Sequence, residues 1–238
     1  MLLIRMKVEI WSDVVCPWCY IGKRNFEAAL ARFEHRDEVE LVWRSFELDP
    51  SAPRLREGEY ATRLARKYGV GQAEAQAMVD RMAGRAAEAG LDFRFDIARP
   101  GNTFDAHRLI HLGRERGLQD AVKERLLAGT FTEGEPIGER ETLARLGEAA
   151  GLDQNEVRAF LDGDRYAAEV RADEEAALDV GVTGVPFFLV GGRFGIPGAQ
   201  PPEVILRVLD RAWSDLHPVT VVVDGDTTRG CTGDSCAL

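Results

Sequence analysis

The hydrophobic pattern alternates between strand and helix periods along the chain. Near the N-terminus apolar residues alternate up to Ile10 and continue as Val14-Val15, which is typical of a strand. Apolar residues then recur at helical spacing over 17–34, and residues 39–46 again have strand composition. A strand, a helix and a second strand in this order predict a βαβ unit with parallel strands.

The middle stretch, residues 53–179, is rich in Ala, Glu and Arg and has helical periods between glycine-marked breaks. Residues 93–100 alternate in hydrophobicity, and we expect them to form an extended connection rather than a strand of the sheet. The predicted helices span 58–68, 72–89, 103–116, 119–131, 139–150 and 155–179, the last with a break near Gly163.

Strand signals return after the helices. Residues 185–190 and 193–196 flank a Gly-Gly pair and predict a hairpin, and an amphipathic helix over 202–213 closes the pattern. The order predicts an α/β fold in which two sheet-forming pieces enclose a helical insertion. We therefore divide the chain into a sheet domain, a helical insertion domain and a C-terminal extension, at 1–52 with 180–215, 53–179, and 216–238.

The charge balance narrows the range of partners. The net charge of −10 disfavours nucleic acid and anionic membranes as main partners, and no stretch has the apolar length of a membrane span. The first five residues lack the pattern of a signal peptide, and they are interpreted either as an extension or as the result of a misassigned start codon. These features predict a cytoplasmic protein, and in that compartment a disulfide is more often catalytic or sensing than structural.

Two cysteines, Cys16 and Cys19, fall at the predicted start of the first helix, where Pro17 suits the first turn. Unpaired N–H groups and the helix dipole lower the pKa of a thiol at such a position. This placement predicts Cys16 as a nucleophile with a depressed pKa and Cys19 as the thiol that resolves a mixed disulfide. The same spacing would also suit half of a zinc site, but that reading needs a second ligand pair.

Two further motifs allow more than one reading. Pro186 follows Val185 and suits a position at the start or the edge of a strand. Alternatively it is a cis-proline whose loop faces the dithiol and pairs with an extended peptide. His107 and His111 lie four residues apart on one helix face, which suits a metal pair or two packed, hydrogen-bonded histidines. No Glu stands beside them in the metalloprotease arrangement, so we favour the packed reading and predict no metal site.

The tail carries the remaining cysteines. A β-prone run from residue 218 to 223 precedes a turn signal, then Cys231 and Cys236, and we expect the tail to dock as an added strand. The spacing of the two thiols lets them close a small disulfide loop. They are either a local bridge or two spare thiols, or they form a second redox pair that exchanges with the first. The residues leave both readings open.

Taken together, these motifs resemble the DsbA family of thioredoxin-fold proteins, and more closely its FrnE-like branch. The resemblance rests on the Cys-Pro-Trp-Cys motif at 16–19 after the first strand, the helical insertion, and Gly-Val-Pro at 184–186 before the hairpin. The segment Asn-Thr-Phe-Asp-Ala-His-Arg at 102–108 looks like a further motif of the FrnE-like branch. Trp18 stands where the best-known members carry histidine, which removes a donor to the Cys16 thiolate and argues against a strongly oxidising enzyme.

The resemblance implies a thioredoxin-like fold with a large inserted all-helical domain, and a thiol–disulfide oxidoreductase or isomerase without a cofactor. It implies Cys16 as nucleophile, Cys19 as resolving thiol and Pro186 as the cis-proline, with a substrate-side role for His107. It also favours a redox role for the tail cysteines. The expected partners are protein or peptide disulfides and a small thiol or thioredoxin-type electron donor.

Two alternatives remain at this stage. Kappa-type glutathione transferases and chromene-carboxylate isomerases resemble the chain in architecture, but they use serine at the nucleophile position, so retention of both Cys16 and Cys19 disfavours them. A thiol-based metal-binding protein would use all four cysteines.

Overall fold

The computed structural model describes residues 5–218. Two strands, β1 (Met6–Ser12) and β2 (Val39–Ser45), run parallel along their whole length. The helix α1 (Pro17–Leu30) connects them through a short 3₁₀ turn at Arg36–Glu38 and completes the predicted βαβ unit. Helix α1 ends earlier than the sequence pattern predicts.

Seven helices follow before the chain returns to the sheet. The first two are α2 (Tyr60–Tyr68) and α3 (Gln72–Glu88). The others are α4 (Phe104–Glu115), α5 (Gln119–Phe131), α6 (Arg140–Ala149), α7 (Gln154–Leu161) and α8 (Ala167–Asp179). Residues 93–100 do not form a strand, as predicted, but they contain a turn at 95–97 rather than a fully extended connection.

The predicted helix over 155–179 is two helices. Tyr166, between them, has a φ of 64°, a left-handed conformation that interrupts helical hydrogen bonding. Arg108 of α4 is buried against this break. Its guanidinium donates to three backbone carbonyls, those of Phe160, Gly163 and Arg165, at 3.3, 2.7 and 2.9 Å. These hydrogen bonds satisfy backbone carbonyls that have no partner within a helix at the break between α7 and α8.

The hairpin β3 (Phe187–Val190) and β4 (Phe194–Pro197) completes the sheet, whose strand order is β2-β1-β3-β4. Strand β3 pairs antiparallel with β1, so β1 lies in the interior of the sheet. The last helix, α9 (Pro202–Leu216), packs against α1. Within residues 5–218, no helix is long and apolar enough to cross a membrane.

The described residues form one main core and two smaller ones. The main core joins the sheet to α4–α7 and α9, and includes Val8, Phe26, Leu109 and Val122. A second core lies between the α2–α3 hairpin, the start of α1 and the end of α5. A third lies beside Trp11 at the other side of the sheet.

Candidate active site

The dithiol stands where β1 ends and α1 begins. Cys16 is the N-cap residue of α1, and Pro17 occupies the first helical turn, where its missing N–H costs nothing. The Cys19 N–H donates to the Cys16 carbonyl at 3.0 Å. Cys16 is 4% exposed and Cys19 is fully buried, and both are free thiols. Trp18, between them, is 40% exposed and is the side chain of this motif that projects most from the surface.

The Val185–Pro186 loop faces this motif. The Val185–Pro186 peptide bond is cis, and the Cys16 thiol donates to the Val185 carbonyl at 3.5 Å. Gly22 of α1 makes the close approach possible, because a Cβ atom there would lie 2.9 Å from Pro186 Cγ. Among the described residues, the Val185 N–H donates to no backbone carbonyl. The loop therefore offers a backbone donor and an acceptor beside the reactive sulfur.

The electrostatics of the two thiols differ from the sequence expectation. The interaction with Cys19 and burial together raise the pKa of Cys16 well above its usual value. Burial also works against ionisation of Cys19, but the hydrogen bond from Cys16 and the charge of Lys123 hold the pKa of Cys19 below its usual value. The pKa of Cys16 is thus raised in this arrangement, contrary to the prediction that it is lowered, and Cys19 is the more acidic thiol of the pair.

Asp13 lies directly beneath the dithiol. It is fully buried, accepts from the Leu48 N–H at 2.8 Å, and lies 3.3 Å from His107 Nε2. Burial opposes ionisation, but the hydrogen bond from His107 and the Leu48 amide outweigh it and lower the pKa of Asp13. Asp13 therefore carries a negative charge under the active site.

The two histidines of α4 each face a different carboxylate. His107 contacts Asp13, and His111 Nε2 lies 3.1 Å from Asp173 and 3.2 Å from Ser45 Oγ. His107 is completely buried and does not line the cleft. It therefore cannot contact substrate in this arrangement, contrary to the predicted substrate-side role. Its position ties the insertion to the end of β1 instead.

Sequence reasoning missed a third buried group from the insertion, Lys123 of α5. Its ammonium donates to the Ser12 carbonyl at 3.3 Å and lies 5.4 Å from the Trp43 ring centroid. Lys123 falls on the apolar face of α5, one helical turn before Leu126 and Leu127, which are fully buried. The sequence signal that indicates Lys123 is a charged residue at a helix position where the periodicity places apolar residues.

A groove opens beside Trp18. It has a volume of about 500 Å³ and lies between Trp18 and the α2–α3 hairpin. Its lining is largely apolar with charged residues at the rim, and comprises Trp18, Leu64, Tyr68, Met78, Arg81, Met82, Gly84, Arg85 and Glu88. The structure thus brings Cys16, Cys19 and Pro186 together with a groove, whereas Cys231 and Cys236 lie outside the described residues.

Comparisons with known proteins agree with this arrangement. Residues 7–210 match the family model of the DsbA-like thioredoxin domain. A probable DsbA oxidoreductase from Streptomyces coelicolor is 45% identical, with a TM-score of 0.85 over 98% of this chain and 99% of that one. The Bacillus subtilis protein YwbO, whose function is uncharacterized, is 28% identical over 85% of this chain and 94% of its own length.

A more distant structure shares the fold alone. The cytosolic disulfide reductase DsbM from Pseudomonas aeruginosa is 16% identical, with a TM-score of 0.57 over 88% of this chain and 96% of its own. With a family match over most of its length and a dithiol at the start of α1, the chain belongs to the DsbA-like thioredoxin-domain family of thiol–disulfide oxidoreductases.

Proposed function

We propose that the protein exchanges disulfides with protein or peptide substrates through Cys16 and Cys19, as an oxidoreductase with isomerase activity of the FrnE-like type. The observation that carries this proposal is the placement of the Cys16 sulfur 3.5 Å from the Val185 carbonyl at the start of α1. An extended substrate that pairs with the Val185 backbone brings its own sulfur to this point.

The first chemical step moves a proton between the thiols. A substrate N–H that binds the Val185 carbonyl displaces the Cys16 S–H, whose proton then passes to the Cys19 thiolate. The Cys16 thiolate attacks one sulfur of the substrate disulfide, a mixed disulfide forms, and the other substrate sulfur leaves and takes the proton from Cys19.

The second step resolves the mixed disulfide. The Cys19 thiolate attacks the Cys16 sulfur, the bond from Cys16 to the substrate breaks, and the second substrate sulfur leaves as a thiolate that takes a proton from water. The substrate disulfide gains two electrons and the Cys16–Cys19 dithiol loses them. A thiol reductant, small or of thioredoxin type, regenerates the dithiol, and the reverse sequence donates a disulfide.

The groove beside Trp18 supports a polypeptide substrate. Its apolar lining and volume of about 500 Å³ suit side chains that flank a cysteine in an extended chain. Cys231 and Cys236 are proposed as a second redox pair that exchanges with the first. The cytoplasmic location stays a prediction.

The test compares two serine variants. Cys16→Ser should abolish reduction of insulin and refolding of a scrambled disulfide protein, because it removes the nucleophile. Cys19→Ser should accumulate a mixed disulfide with the substrate, detected by mass spectrometry, because resolution is lost. Full insulin reduction by Cys16→Ser, or glutathione-dependent isomerase activity that persists in Cys19→Ser, would contradict the proposal.

A further inference from the structure

Two lysines are buried near the active site, and their surroundings differ. Lys23 of α1 is 2% exposed, and its ammonium reaches three carboxylates, those of Glu27, Asp120 and Glu124. Lys123 of α5 is 0% exposed, and no carboxylate among residues 5–218 lies within ion-pair distance of its ammonium. A buried ammonium with only a carbonyl and an aromatic ring for partners is costly. Its position therefore calls for a counter-ion.

The groups that face Lys123 come from three elements. They are Asp13 in the loop after β1, the thiols Cys16 and Cys19, and Lys23 of α1, while β2 contributes the Trp43 ring. Burial is the main influence and lowers the pKa of Lys123 to about 8, although Cys19 and Asp13 favour its charged form. Both oxygens of Asp13 are already engaged, one with His107 and the other with the Leu48 amide. Among the acidic groups, Cys19 favours the charged form of Lys123 most, ahead of Asp13 and Cys16.

We propose that Lys123, which the helical insertion supplies, is a positioning residue that holds the Cys19 sulfur as a thiolate for the resolving step. The inference rests on the proposed function of the dithiol. In that step the Cys19 thiolate displaces the substrate sulfur from Cys16, and the new disulfide leaves Lys123 without its counter-ion. Lys123 thus favours the reduced dithiol over the disulfide.

The insertion then has a chemical task as well as a structural one. Lys123 lies on α5, which is absent from the sheet domain, so the sheet domain by itself does not provide this charge. The Ser12 carbonyl, at the end of β1, fixes the ammonium beneath α1. A change in the packing of α5 would therefore alter the thiol chemistry.

The test uses the matched lysines in a chain where Cys16, Cys231 and Cys236 are serine, so that Cys19 is the one thiol that titrates. Lys123→Met should raise the pKa of Cys19 by about one unit, a tenfold change in its acid dissociation constant. Lys23→Met, which removes a buried lysine that carboxylates already neutralise, should leave it unchanged. The thiolate absorbance is measured against pH, with circular dichroism to check folding.

Two kinetic and equilibrium readouts follow in chains that keep all cysteines. Lys123→Met should shift the equilibrium with a reference dithiol about tenfold toward the protein disulfide, which is about 30 mV. Resolution of the mixed disulfide should slow only about threefold, because a thiolate of higher pKa is scarcer but more nucleophilic. A merely structural lysine would move neither quantity.

An unchanged Cys19 titration in folded Lys123→Met would overturn the inference, and so would an equal shift in Lys23→Met. Should Lys123→Met fail to fold, the wild-type protein provides the answer through NMR titration of isotope-labelled lysine. The pKa of Lys123 should fall when the dithiol is oxidised, and an equal pKa in both redox states would refute the pairing. Insulin reduction by the wild type tests the proposed function separately from these measurements.

Discussion

The inserted helices relate to the sheet domain in two different ways. Helices α4–α7 share the main hydrophobic core with the sheet, so that Leu109 and Val122 lie in the same core as Val8. The α2–α3 hairpin packs in a separate cluster, in which Ala75 and Val79 face the end of α5. The first part is continuous with the sheet domain, and the second forms a wall beside it.

This difference separates two roles. The fused part places two buried polar groups at the end of β1, where His107 contacts Asp13 and Lys123 donates to the Ser12 carbonyl. The hairpin instead presents an apolar groove beside Trp18. Substitutions in the two parts should therefore change different quantities, and the predictions below test that separation in order of expected effect.

The largest effect is expected at Asp13. Asp13→Ala removes the partner of a buried histidine and of the Leu48 amide, and should lower the free energy of unfolding by about 3–5 kcal/mol. Asp37→Ala, at an exposed carboxylate in the 3₁₀ turn, is the control and should change stability little. Urea unfolding measures both. A loss at Asp13 no larger than at Asp37 would show that α4 is not fused to the end of β1.

The pH dependence of the same variant has a defined sign. The folded-state pKa of Asp13 is lowered from 3.8, so its ionisation stabilises the fold above pH 3.8, and that stability is lost as the pH falls through the lowered value. As the pH falls below 3.8, the free energy of unfolding of Asp13→Asn should therefore decrease less than that of the wild type. Parallel acid curves for the two proteins would contradict this assignment.

The elements were predictable from the sequence because their periods are local. The βαβ unit, the hairpin and the run of helices were confirmed, and the dithiol was found because Pro17 marks a helix start. The break between α7 and α8 was placed near Gly163, but its cause was not predictable, since Arg108 reaches it from a residue more than fifty positions earlier. Asp13 was missed because its partners His107 and Leu48 are distant in sequence. Lys123 was missed although its position on the apolar face of α5 is visible in the sequence.

The pKa of the nucleophile shows a second limit. A helix start predicts a lowered pKa for Cys16, but that rule takes no account of the interaction with Cys19 or of burial, which together raise the pKa of Cys16. Burial opposes ionisation of Cys19 as well, but the hydrogen bond with Cys16 and the charge of Lys123 lower its pKa. Long-range packing therefore decides which of the two thiols is the more acidic.

The next largest effect is expected where α1 contacts the Val185–Pro186 loop. Gly22→Ala would place a Cβ atom 2.9 Å from Pro186 Cγ, so the loop must shift away from Cys16. We expect about a tenfold loss of kcat/KM for insulin reduction, since small displacements at a reacting centre are costly. Gly71→Ala, in open space at the N-cap of α3 and outside the groove lining, is the control and should keep full activity. Unaltered activity in Gly22→Ala would mean that the loop position does not matter.

A smaller effect is expected in the groove. Met78→Gln makes the lining of the groove polar, and should raise KM for a peptide disulfide several-fold while kcat and stability change little. Leu178→Gln makes the same kind of change at an exposed position of α8 and should leave KM unchanged. Steady-state kinetics with a fluorescent peptide disulfide measure both variants. An equal KM in the two would separate the groove from substrate binding.

The smallest effect is expected from charge at the rim of the groove. Arg81 is exposed and lines the groove, so Arg81→Glu should slow association with an acidic peptide disulfide and speed it with a basic one. Arg66→Glu, which changes an exposed arginine of α2 outside the lining, carries the same change in net charge and is the control.

The difference between the two variants should be largest at low ionic strength and shrink as salt screens the charge. Stopped-flow measurements across a salt series would therefore distinguish a local rim effect from the net charge of the protein, and equal salt slopes for both variants would assign the effect to net charge. A rim effect confined to Arg81, without any shift in thiol pKa, would separate the hairpin wall from the fused helices that act on Cys19.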